Sequence, residues 1–537
     1  MNIEKSIMLL IAGTLAQGAL AEKKPPRPNI ILILADDMGY SDPGCYGGEI
    51  NTPNIDRLAA NGLRFTQFYN ASRSCPSRAS LLTGLYAHQA GLAQNGRNLS
   101  TNAVTIAEVL KTAGYRTGMS GKWHLSETIP LKKNEDQLKW LSHQVDSGNF
   151  APLETYPHMR GFDEFWGIVW GVVDYFDPFS LVHNGEPVKE VPKDFYMTDF
   201  VTEKAIDLIK DFDRTDDPFF MYVAFNSPHW PLHALPEDID KYRGRYNDGW
   251  DSLRVRRYRK MLSQGLFDSK TAPLAKNESG FLWEDCKRKD WEAAHMEVHA
   301  AMVDRMDQGI GRILDELKRR GMTDNTLIIF MSDNGASPER GFKPGFDRTG
   351  YLRTGEAINY TYDRPGPHNT YGYLGQAWAG AINSPFRYWK VQSYEGGMCT
   401  PMIVQWPKGL KTKPGSITTQ PGHVMDIMAT CLDVTGAQYP KTYKGNNIES
   451  LEGISLLPIL QKKKYTGHQT LAWEHEGGRA FRKGDWKISA LRNKDWELFN
   501  LATDRTETRN LAAENPEKLK ELIGLWEQWA KRMKIKL

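Results

Sequence analysis

The fold is decided by the stretch Pro28-Asn29-Ile30-Ile31-Leu32-Ile33-Leu34-Ala35-Asp36-Asp37, in which a short apolar run ends at two aspartates. A continuous apolar run of this length is typical of a strand that is buried on both faces of a parallel sheet. Similar runs follow at residues 218–225, 326–331 and 401–406, with amphipathic segments between them. This alternation predicts an α/β fold, with a large, mixed, mostly parallel sheet flanked by helices.

Helical periodicity is strongest between Trp291 and Arg320, where apolar residues recur at spacings of three and four. Shorter helices are predicted at 54–60 and 105–113, and residues 338–390 are predicted to form long loops that help to build a site. After Gly436 the pattern changes to short strands followed by a closing helix with proline at its first position. The C-terminal elements are predicted at 469–475, 478–483, 485–491, 495–501 and 516–532. We therefore predict a large domain over residues 28–435 and a smaller antiparallel α+β subdomain over residues 436–537.

Composition excludes several classes of protein. The 537-residue chain has a formal net charge of +3, which is too small to favour nucleic acid or an anionic membrane as a partner. No apolar stretch reaches the length of a transmembrane helix, so no membrane span is predicted. The five cysteines, at positions 45, 75, 286, 399 and 431, are too few and odd in number for a disulfide framework, although one pair is left open. No zinc-type spacing of cysteine or histidine is present.

The first 21 residues have the pattern of a secretory signal peptide. Lys5 supplies positive charge, residues 7–16 form a short apolar run, and Ala19-Leu20-Ala21 fits a small-x-small cleavage site. We predict a signal peptide over residues 1–21, a mature chain that begins near Glu22, and export to the periplasm or the medium.

Acidic pairs follow two of the predicted strands. Asp36-Asp37 comes directly after the first strand, and Asp333-Asn334 follows the strand at 326–331. The carboxyl ends of parallel strands meet at one edge of the sheet, where ligands gather, so both pairs are expected in one crevice. Three carboxylates and an amide oxygen are hard ligands that suit calcium or magnesium. A helix cap or a turn is the alternative interpretation of each pair alone.

A further motif is Ser74-Cys75-Pro76-Ser77-Arg78, which is followed by Thr83-Gly84. It resembles the signature of the type I sulfatases, Ser/Cys-x-Pro-x-Arg-x-x-x-x-Thr-Gly. Only Ser74 has proline at +2 and arginine at +4, because Cys75 lies one place too late. The resemblance implies that Ser74 is oxidised to formylglycine, whose hydrate attacks sulfur, and that Arg78 contacts this group. A serine turn that caps a helix beginning at Pro76 is the alternative.

Three more segments match the family in its order along the chain. They are Gly121-Lys122-Trp123-His124, Ser227-Pro228-His229-Trp230-Pro231 and Lys390 followed by Tyr394-Glu395-Gly396-Gly397. The resemblance implies that Lys122 and Lys390 bind sulfate oxygens. It also implies that His124 assists the expulsion of sulfate and that His229 is a candidate acid for the leaving oxygen. Taken alone, each segment also has a non-catalytic interpretation, namely a surface lysine or a buried, hydrogen-bonded histidine.

The resemblance also assigns the metal and the superfamily. It implies that Asp36, Asp37, Asp333, Asn334 and the modified Ser74 hold one divalent cation, usually Ca²⁺ and less often Mg²⁺. The chain is thus similar to serine-type, arylsulfatase-like members of the alkaline phosphatase superfamily, with the catalytic domain over residues 28–435. A maturation enzyme that generates formylglycine is then an expected partner.

The implied activity is hydrolysis of a sulfate monoester, and a sulfated carbohydrate is the first choice of substrate over an aryl sulfate. Trp123, Trp230, Trp378 and Trp389 lie near the motifs and are candidates to stack on sugar rings, with burial in the core as the alternative. Two alternative functions stay open: a phosphodiesterase or phosphonate hydrolase of the same superfamily, and a non-catalytic protein that binds sulfated glycans through unmodified Ser74. His295 and His299, at i and i+4 of the long predicted helix, are interpreted as structural or surface residues because no third ligand lies near them in the sequence.

Overall fold

The computed structural model describes residues 27–129, 131–146, 148–345 and 347–536. The predicted signal peptide lies outside these residues. None of the helices within the described ranges combines the length and the apolar character needed to cross a bilayer.

The large sheet contains eleven strands within the described residues. They are β1 (Asn29–Ala35), β2 (Leu63–Tyr69), β3 (Arg116–Lys122), β4 (Glu164–Ile168), β5 (Leu181–His183), β6 (Glu186–Pro187), β7 (Phe219–Ala224), β8 (Thr326–Ser332), β9 (Cys399–Gln405), β10 (Ser416–Thr418) and β11 (Gly422–His423). The order across the sheet is β10-β2-β9-β8-β1-β7-β3-β4-β5-β6, and β11 pairs with β2. The central strands β8, β1, β7, β3 and β4 run parallel to their neighbours in that series, which confirms the predicted mixed, mostly parallel sheet.

Helices cover both faces of this sheet. They are α1 (Pro53–Ala60), α2 (Ser74–Thr83), α3 (Ile106–Thr112), α4 (Asn134–Leu141), α5 (Met197–Phe212), α6 (Pro236–Asp240), α7 (Gly249–Ser263), α8 (Lys289–Arg319), α9 (Gln376–Ile382), α10 (Glu395–Met398), α11 (Asp426–Thr435), α12 (Leu457–Leu460) and α13 (Pro516–Arg532). Successive residues of β1 enter different cores. Ile31 and Ile33 join the core that contains α5 and α8, whereas Leu32 joins the core that contains α2 and α3. The continuous apolar run of β1 follows from this burial on both sides.

The C-terminal region forms a second, smaller sheet. Strands β14 (Thr470–His475), β15 (Gly478–Lys483), β16 (Trp486–Ala490) and β17 (Glu497–Asn500) pair in sequence order and antiparallel. Helix α13 packs against β15 and β16. A short ribbon of β12 (Thr442–Tyr443) and β13 (Asn446–Asn447) precedes this sheet. The predicted antiparallel sheet with a closing helix is thus confirmed.

Two helices differ from the sequence predictions, and one strand direction was left open by them. Strand β9, which directly follows α10, is antiparallel to both β2 and β8. Helix α2 begins at Ser74 and not at Pro76, since proline is tolerated within the first turn of a helix. Helix α9 lies within the predicted loop region and begins directly after Gly375.

Candidate active site

The two acidic pairs lie side by side at the carboxyl edge of the sheet. Strands β1 and β8 are parallel neighbours in a register that places Ala35 opposite Ser332, so the residues that follow each strand emerge together. The Asp37 backbone N–H donates to Asp333 Oδ1 at 3.2 Å. All three carboxylates and Asn334 are buried. The structure therefore brings the four predicted oxygen ligands into one cluster.

Ser74 enters this cluster from the first turn of α2. Its Oγ lies 2.5 Å from Asp333 Oδ2 and 3.4 Å from Asp36 Oδ1. The neighbouring Cys75 points elsewhere, with its Sγ 3.1 Å from the carbonyl oxygen of His124. Burial raises the pKa of the Cys75 thiol to about 12, which keeps it protonated. The side chain that faces the carboxylates is thus the serine of the motif and not the cysteine beside it.

Three cations surround the carboxylates. Arg78 Nε donates to Ser74 Oγ at 3.1 Å and to Asp333 Oδ2 at 3.2 Å. Lys122 Nζ lies 2.5 Å from Asp36 Oδ2, and Lys390 Nζ lies 2.8 Å from Asp37 Oδ2. All three cationic side chains are buried. Since buried charges are costly unless they are paired, each cationic side chain and its carboxylate partner stabilise each other's charged form here.

Proton affinities within the cluster follow from this pairing. Burial raises the pKa of Asp36, but Lys122, His229 and Arg78 outweigh it and leave the pKa below its ordinary value. Burial lowers the pKa of Lys390, but Asp37 and Glu339 outweigh it and leave the pKa above its ordinary value. Both groups are therefore charged at neutral pH.

Lys390 reaches the cluster through a tightly constrained loop. Its N–H donates to the carbonyl oxygen of Ala336, next to the Asp333 segment. The following N–H, of Val391, donates to the carbonyl oxygen of Ser72, two residues before Ser74. Val391 has φ of +77°, a conformation that is costly for a β-branched residue and persists only where the surroundings enforce it. The loop that carries Lys390 is thus hydrogen-bonded to the segment that precedes Ser74.

His124 lies two residues after the end of β3 and lines the cavity above Ser74. Burial, reinforced by Lys122 and Arg78, holds its pKa well below the ordinary value, so the ring is neutral. Its Nδ1 is buried without a hydrogen-bond partner among the described residues. The ring lies against Gly171, where an added Cβ would come within 2.4 Å of Nε2, so any larger residue at position 171 would displace it.

His229 lies on the other side of the cluster. Its Nδ1 is 2.6 Å from the carbonyl oxygen of Trp230, and its Nε2 is 3.4 Å from Asp37 Oδ2. A carbonyl oxygen only accepts, so Nδ1 carries a proton, and in the neutral ring Nε2 is an acceptor. Burial lowers the pKa of His229, although Asp37 and Asp36 partly offset this.

The donor set fits a hard divalent cation. Asn334 Oδ1 is buried and has no hydrogen-bond partner in the described part of the chain, whereas its Nδ2 donates to Asp37 Oδ1 at 2.6 Å. Ligand atoms of Asp36, Asp37 and His229 all lie within 4.8 Å of one another. An amide oxygen without a donor, next to three carboxylates, is the environment that calcium or magnesium would complete. This buried group could therefore bind a metal ion, and the His229 nitrogen lies beside the predicted oxygen ligands.

A cavity of about 510 Å³ opens above Ser74, and His124, His229 and Lys390 also line it. Of the four tryptophans near the motifs, Trp230 lines this cavity, whereas Trp123, Trp378 and Trp389 are buried in the core. The walls also include charged residues that the sequence reasoning missed: Arg73, Glu339, Arg340, Asp347 and Arg348. Most of them belong to the aperiodic region 338–390, and Arg73 lies outside the invariant positions of the motif, so the sequence carried no signal for them.

The two histidines of α8 have structural partners. His295 contacts the Trp291 carbonyl oxygen at 2.6 Å and the Tyr362 hydroxyl at 2.9 Å. His299 Nε2 lies 2.9 Å from Asp42 Oδ2, whose carboxylate accepts from the Gly39 N–H just after Asp37. The predicted structural role of both residues is confirmed.

Comparison with known proteins gives a family for this chain. The model of the sulfatase family matches residues 28–437, and that of the N-sulphoglucosamine sulphohydrolase C-terminal region matches residues 386–533. An uncharacterized sulfatase of Schizosaccharomyces pombe is 33% identical over 513 residues, covering 87% of this chain and 86% of the relative. An arylsulfatase of Klebsiella aerogenes is 32% identical over 489 residues, covering 86% and 97%.

Solved structures agree with this assignment. The crystal structure of Ps i-CgsB in complex with k-i-k-neocarrahexaose superposes with a TM-score of 0.63 at 25% identity, covering 94% of this chain and 93% of that one. The fold, the order of the motifs and these matches lead to one conclusion. The chain belongs to the sulfatase family, as a type I sulfatase of the alkaline phosphatase superfamily, and is a sulfuric ester hydrolase.

Proposed function

We propose that this sulfatase removes sulfate from a sulfated carbohydrate, with formylglycine formed from Ser74 as its catalytic group and calcium as its cation. The observation that carries the proposal is the position of Ser74 Oγ, 2.5 Å from Asp333 and 3.1 Å from Arg78 at the base of an open cavity. The saccharide complex of Ps i-CgsB supports a glycan as substrate, and the arylsulfatase relative supports an aryl sulfate as a surrogate.

A hydrated aldehyde at position 74 would supply a hydroxyl nucleophile for sulfur and a second hydroxyl through which sulfate can be released. The residues around it are suited to that chemistry. Arg78 Nε and Asp333 Oδ2 both contact Ser74 Oγ, and they also contact each other. His124 lines the same cavity, and its neutral ring has a nitrogen lone pair that can accept a proton there.

Lys122, Lys390 and Arg78 would bind the sulfate oxygens. Together they place three cations around Ser74, and a comparable preorganised contact is worth roughly 3–4 kcal/mol in the transition state. His229 is proposed to donate a proton to the leaving oxygen from Nε2. Because Nδ1 is already occupied with the Trp230 carbonyl, this donation requires the imidazolium form, which the Asp37 carboxylate at 3.4 Å favours and burial opposes.

We propose that the calcium ion is held by position 74 together with Asp36, Asp37, Asp333 and Asn334. Magnesium is the less favoured ion for this site. The ion would supply positive charge beside the nucleophile and lower its proton affinity. We also propose that the protein is exported, by the leader pattern at residues 1–21, and that a formylglycine-generating enzyme modifies Ser74.

The modification is tested by mass spectrometry of a proteolytic peptide that contains Ser74. We expect a fraction of this peptide to be lighter by two hydrogens, and the shift to map to Ser74 and not to Cys75. Turnover of paired sulfate and phosphate monoesters by the same preparation is expected to favour the sulfate. An active preparation with unmodified Ser74, or one that cleaves only the phosphate ester, would contradict the proposal.

Removal of calcium is expected to lower both activity and thermal stability. Without the metal ion, the three carboxylates of the cluster lose a positive charge between them, so a chelator should lower Tm. Added Ca²⁺ should restore Tm better than added Mg²⁺. A ligand at one hundred times its Kd stabilises the native state by about 2.7 kcal/mol. Asp36→Asn is expected to abolish the calcium-dependent shift in Tm, which differential scanning calorimetry measures. If chelation leaves Tm and turnover unchanged, the cation proposal is wrong.

A further inference from the structure

Arg73 and Glu339 form an ion pair on the wall of the active-site cavity. Arg73 directly precedes Ser74, and its Nη1 lies 3.2 Å from Glu339 Oε1. Both side chains line the cavity and are partly exposed there, by 20% for Arg73 and 30% for Glu339. Neither residue belongs to the motifs that hold the sulfate group.

Neighbouring groups fix the orientation of the Glu339 carboxylate. Its Oε2 accepts from Trp230 Nε1 at 2.5 Å and from Ser337 Oγ at 3.1 Å. It also lies 4.0 Å from Lys390 Nζ, which places it next to the predicted sulfate position. Burial raises the pKa of Glu339, but Lys390 and Arg73 outweigh it and hold the pKa below its ordinary value. Glu339 is therefore a charged acceptor at neutral pH.

The pair has hydrogen-bonding capacity that the protein does not use. Glu339 Oε1 contacts Arg73 alone among the described residues, although a carboxylate oxygen can accept two hydrogen bonds. Across the same described ranges, the Arg73 guanidinium has no hydrogen bond or ion pair other than its ion pair with Glu339. An acceptor and several donors thus face the cavity together.

The charge balance indicates which substrate group fits there. A second sulfate or a carboxylate would be repelled by Glu339, and Arg73 is already neutralised. The other two arginines of the cavity wall are also paired, Arg340 with Glu292 and Arg348 with Asp347. A hydroxyl group can donate to Glu339 and accept from Arg73 at the same time, which satisfies both residues. The Trp230 ring, whose centroid lies 5.0 Å from that of Tyr373, adds an aromatic wall of the kind that packs against the apolar face of a sugar.

We propose that Arg73 and Glu339 form a hydroxyl-binding pair that selects sugar sulfates with a free hydroxyl next to the sulfated carbon. This inference rests on the proposed function and narrows its substrate class. The 4.0 Å separation between Glu339 and Lys390 matches a polar group adjacent to the ester and not one on a distant ring. The leaving alcohol is therefore a sugar that is held at its neighbouring carbon as well as at the sulfate.

The test uses substrate pairs with the wild-type enzyme and the Glu339→Gln variant. A panel of methyl glycoside monosulfates identifies the sugar sulfate with the highest kcat/KM, and its analogue that lacks the neighbouring hydroxyl is then compared with it. We expect removal of the hydroxyl to lower kcat/KM of the wild type by about tenfold to a hundredfold, as for a hydrogen bond to a charged group. In Glu339→Gln this penalty should shrink to a few-fold, because the charged acceptor is gone.

Glu476→Gln is the matched control. Glu476 also acts electrostatically on Arg73, but it is exposed and does not line the cavity. Its variant should retain the full hydroxyl penalty. Two results would overturn this inference alone. One is a wild type that turns over an aryl sulfate and cleaves both sugar sulfates with equal kcat/KM. The other is a Glu339→Gln variant that keeps the full loss of kcat/KM on removal of the hydroxyl. A modified wild type that turns over no sulfate ester would overturn the proposed function and this inference with it.

Discussion

Replacing Ser74 with alanine is expected to lower kcat/KM for sulfate esters by roughly 10⁴- to 10⁶-fold, the range seen when a catalytic nucleophile is removed. The physical reason is that alanine cannot be oxidised to the aldehyde and presents no oxygen to the cluster. Arg78, Asp333 and Asp36 would then surround an empty position, although all of them remain paired with one another. Steady-state kinetics with an aryl sulfate and with a sugar sulfate measure the loss.

Cys75→Ala is the control for this experiment. It changes the adjacent residue in the same helical turn, but its thiol faces the His124 carbonyl and not the carboxylates. We expect this variant to retain activity within about tenfold and to lose the modest stability that a small buried side chain contributes. Equal loss in both variants, or activity that survives in Ser74→Ala, would refute the assignment of Ser74.

Replacing Lys487 with methionine is expected to destabilise the protein by about 3–5 kcal/mol, the usual cost of breaking a buried ion pair. Lys487 Nζ lies 2.7 Å from both Glu395 and Glu507, and all three side chains are fully buried. Arg505 pairs with the other oxygen of Glu395. Without Lys487, the carboxylate of Glu507 loses its cationic partner. Burial already raises the pKa of Glu507, and in the wild type Lys487 opposes that effect.

This network also supports the active site. Glu395 begins α10, directly after the loop that carries Lys390, and its N–H donates to Glu507 Oε2 at 2.8 Å. Lys487 belongs to β16, so the C-terminal sheet anchors a loop of the catalytic cluster. We therefore expect Lys487→Met to lose activity at denaturant concentrations below its main unfolding transition. Tryptophan fluorescence and turnover, measured over the same urea series, follow both events.

Lys483→Met is the matched control, since it removes a lysine of the neighbouring strand that pairs with Glu521 at 2.8 Å in a half-exposed position. Exposed pairs of this kind are worth 0–1 kcal/mol, so a small change in stability is expected. If Lys487→Met is as stable as Lys483→Met, the Lys487 network does not anchor the Lys390 loop to the C-terminal sheet.

Much of the fold was predictable because its signals are local. The run from Ile30 to Leu34 reports a strand buried on both faces, and the stripe on α8 reports a long amphipathic helix. The predicted bounds of helices and strands differ from the observed ones by a few residues where the end of an element depends on contacts with other parts of the chain. Helix α13 matches its prediction at Pro516–Arg532 because a proline marks its first turn. The antiparallel direction of β9 was not predictable, since strand direction depends on how the chain returns to the sheet.

The candidate site divides in the same way. The residues of the motifs, such as Asp36, Ser74 and Lys390, could be named from their order along the chain, and the structure brings them together. The cavity wall could not be named. Arg73 and Glu339 are 266 positions apart by their numbers, and no periodicity links them.

The sequence by itself determined the fold class, the family resemblance and the set of reactive side chains, because apolar runs and motif spacings are properties of neighbouring residues. Only the tertiary structure decided where the Cys75 thiol points, that Trp230 lines the cavity while Trp123 lies in the core, and that the C-terminal sheet anchors the Lys390 loop. These features depend on contacts between segments far apart in the chain, and such contacts form only when burial and charge pairing are satisfied throughout the folded molecule.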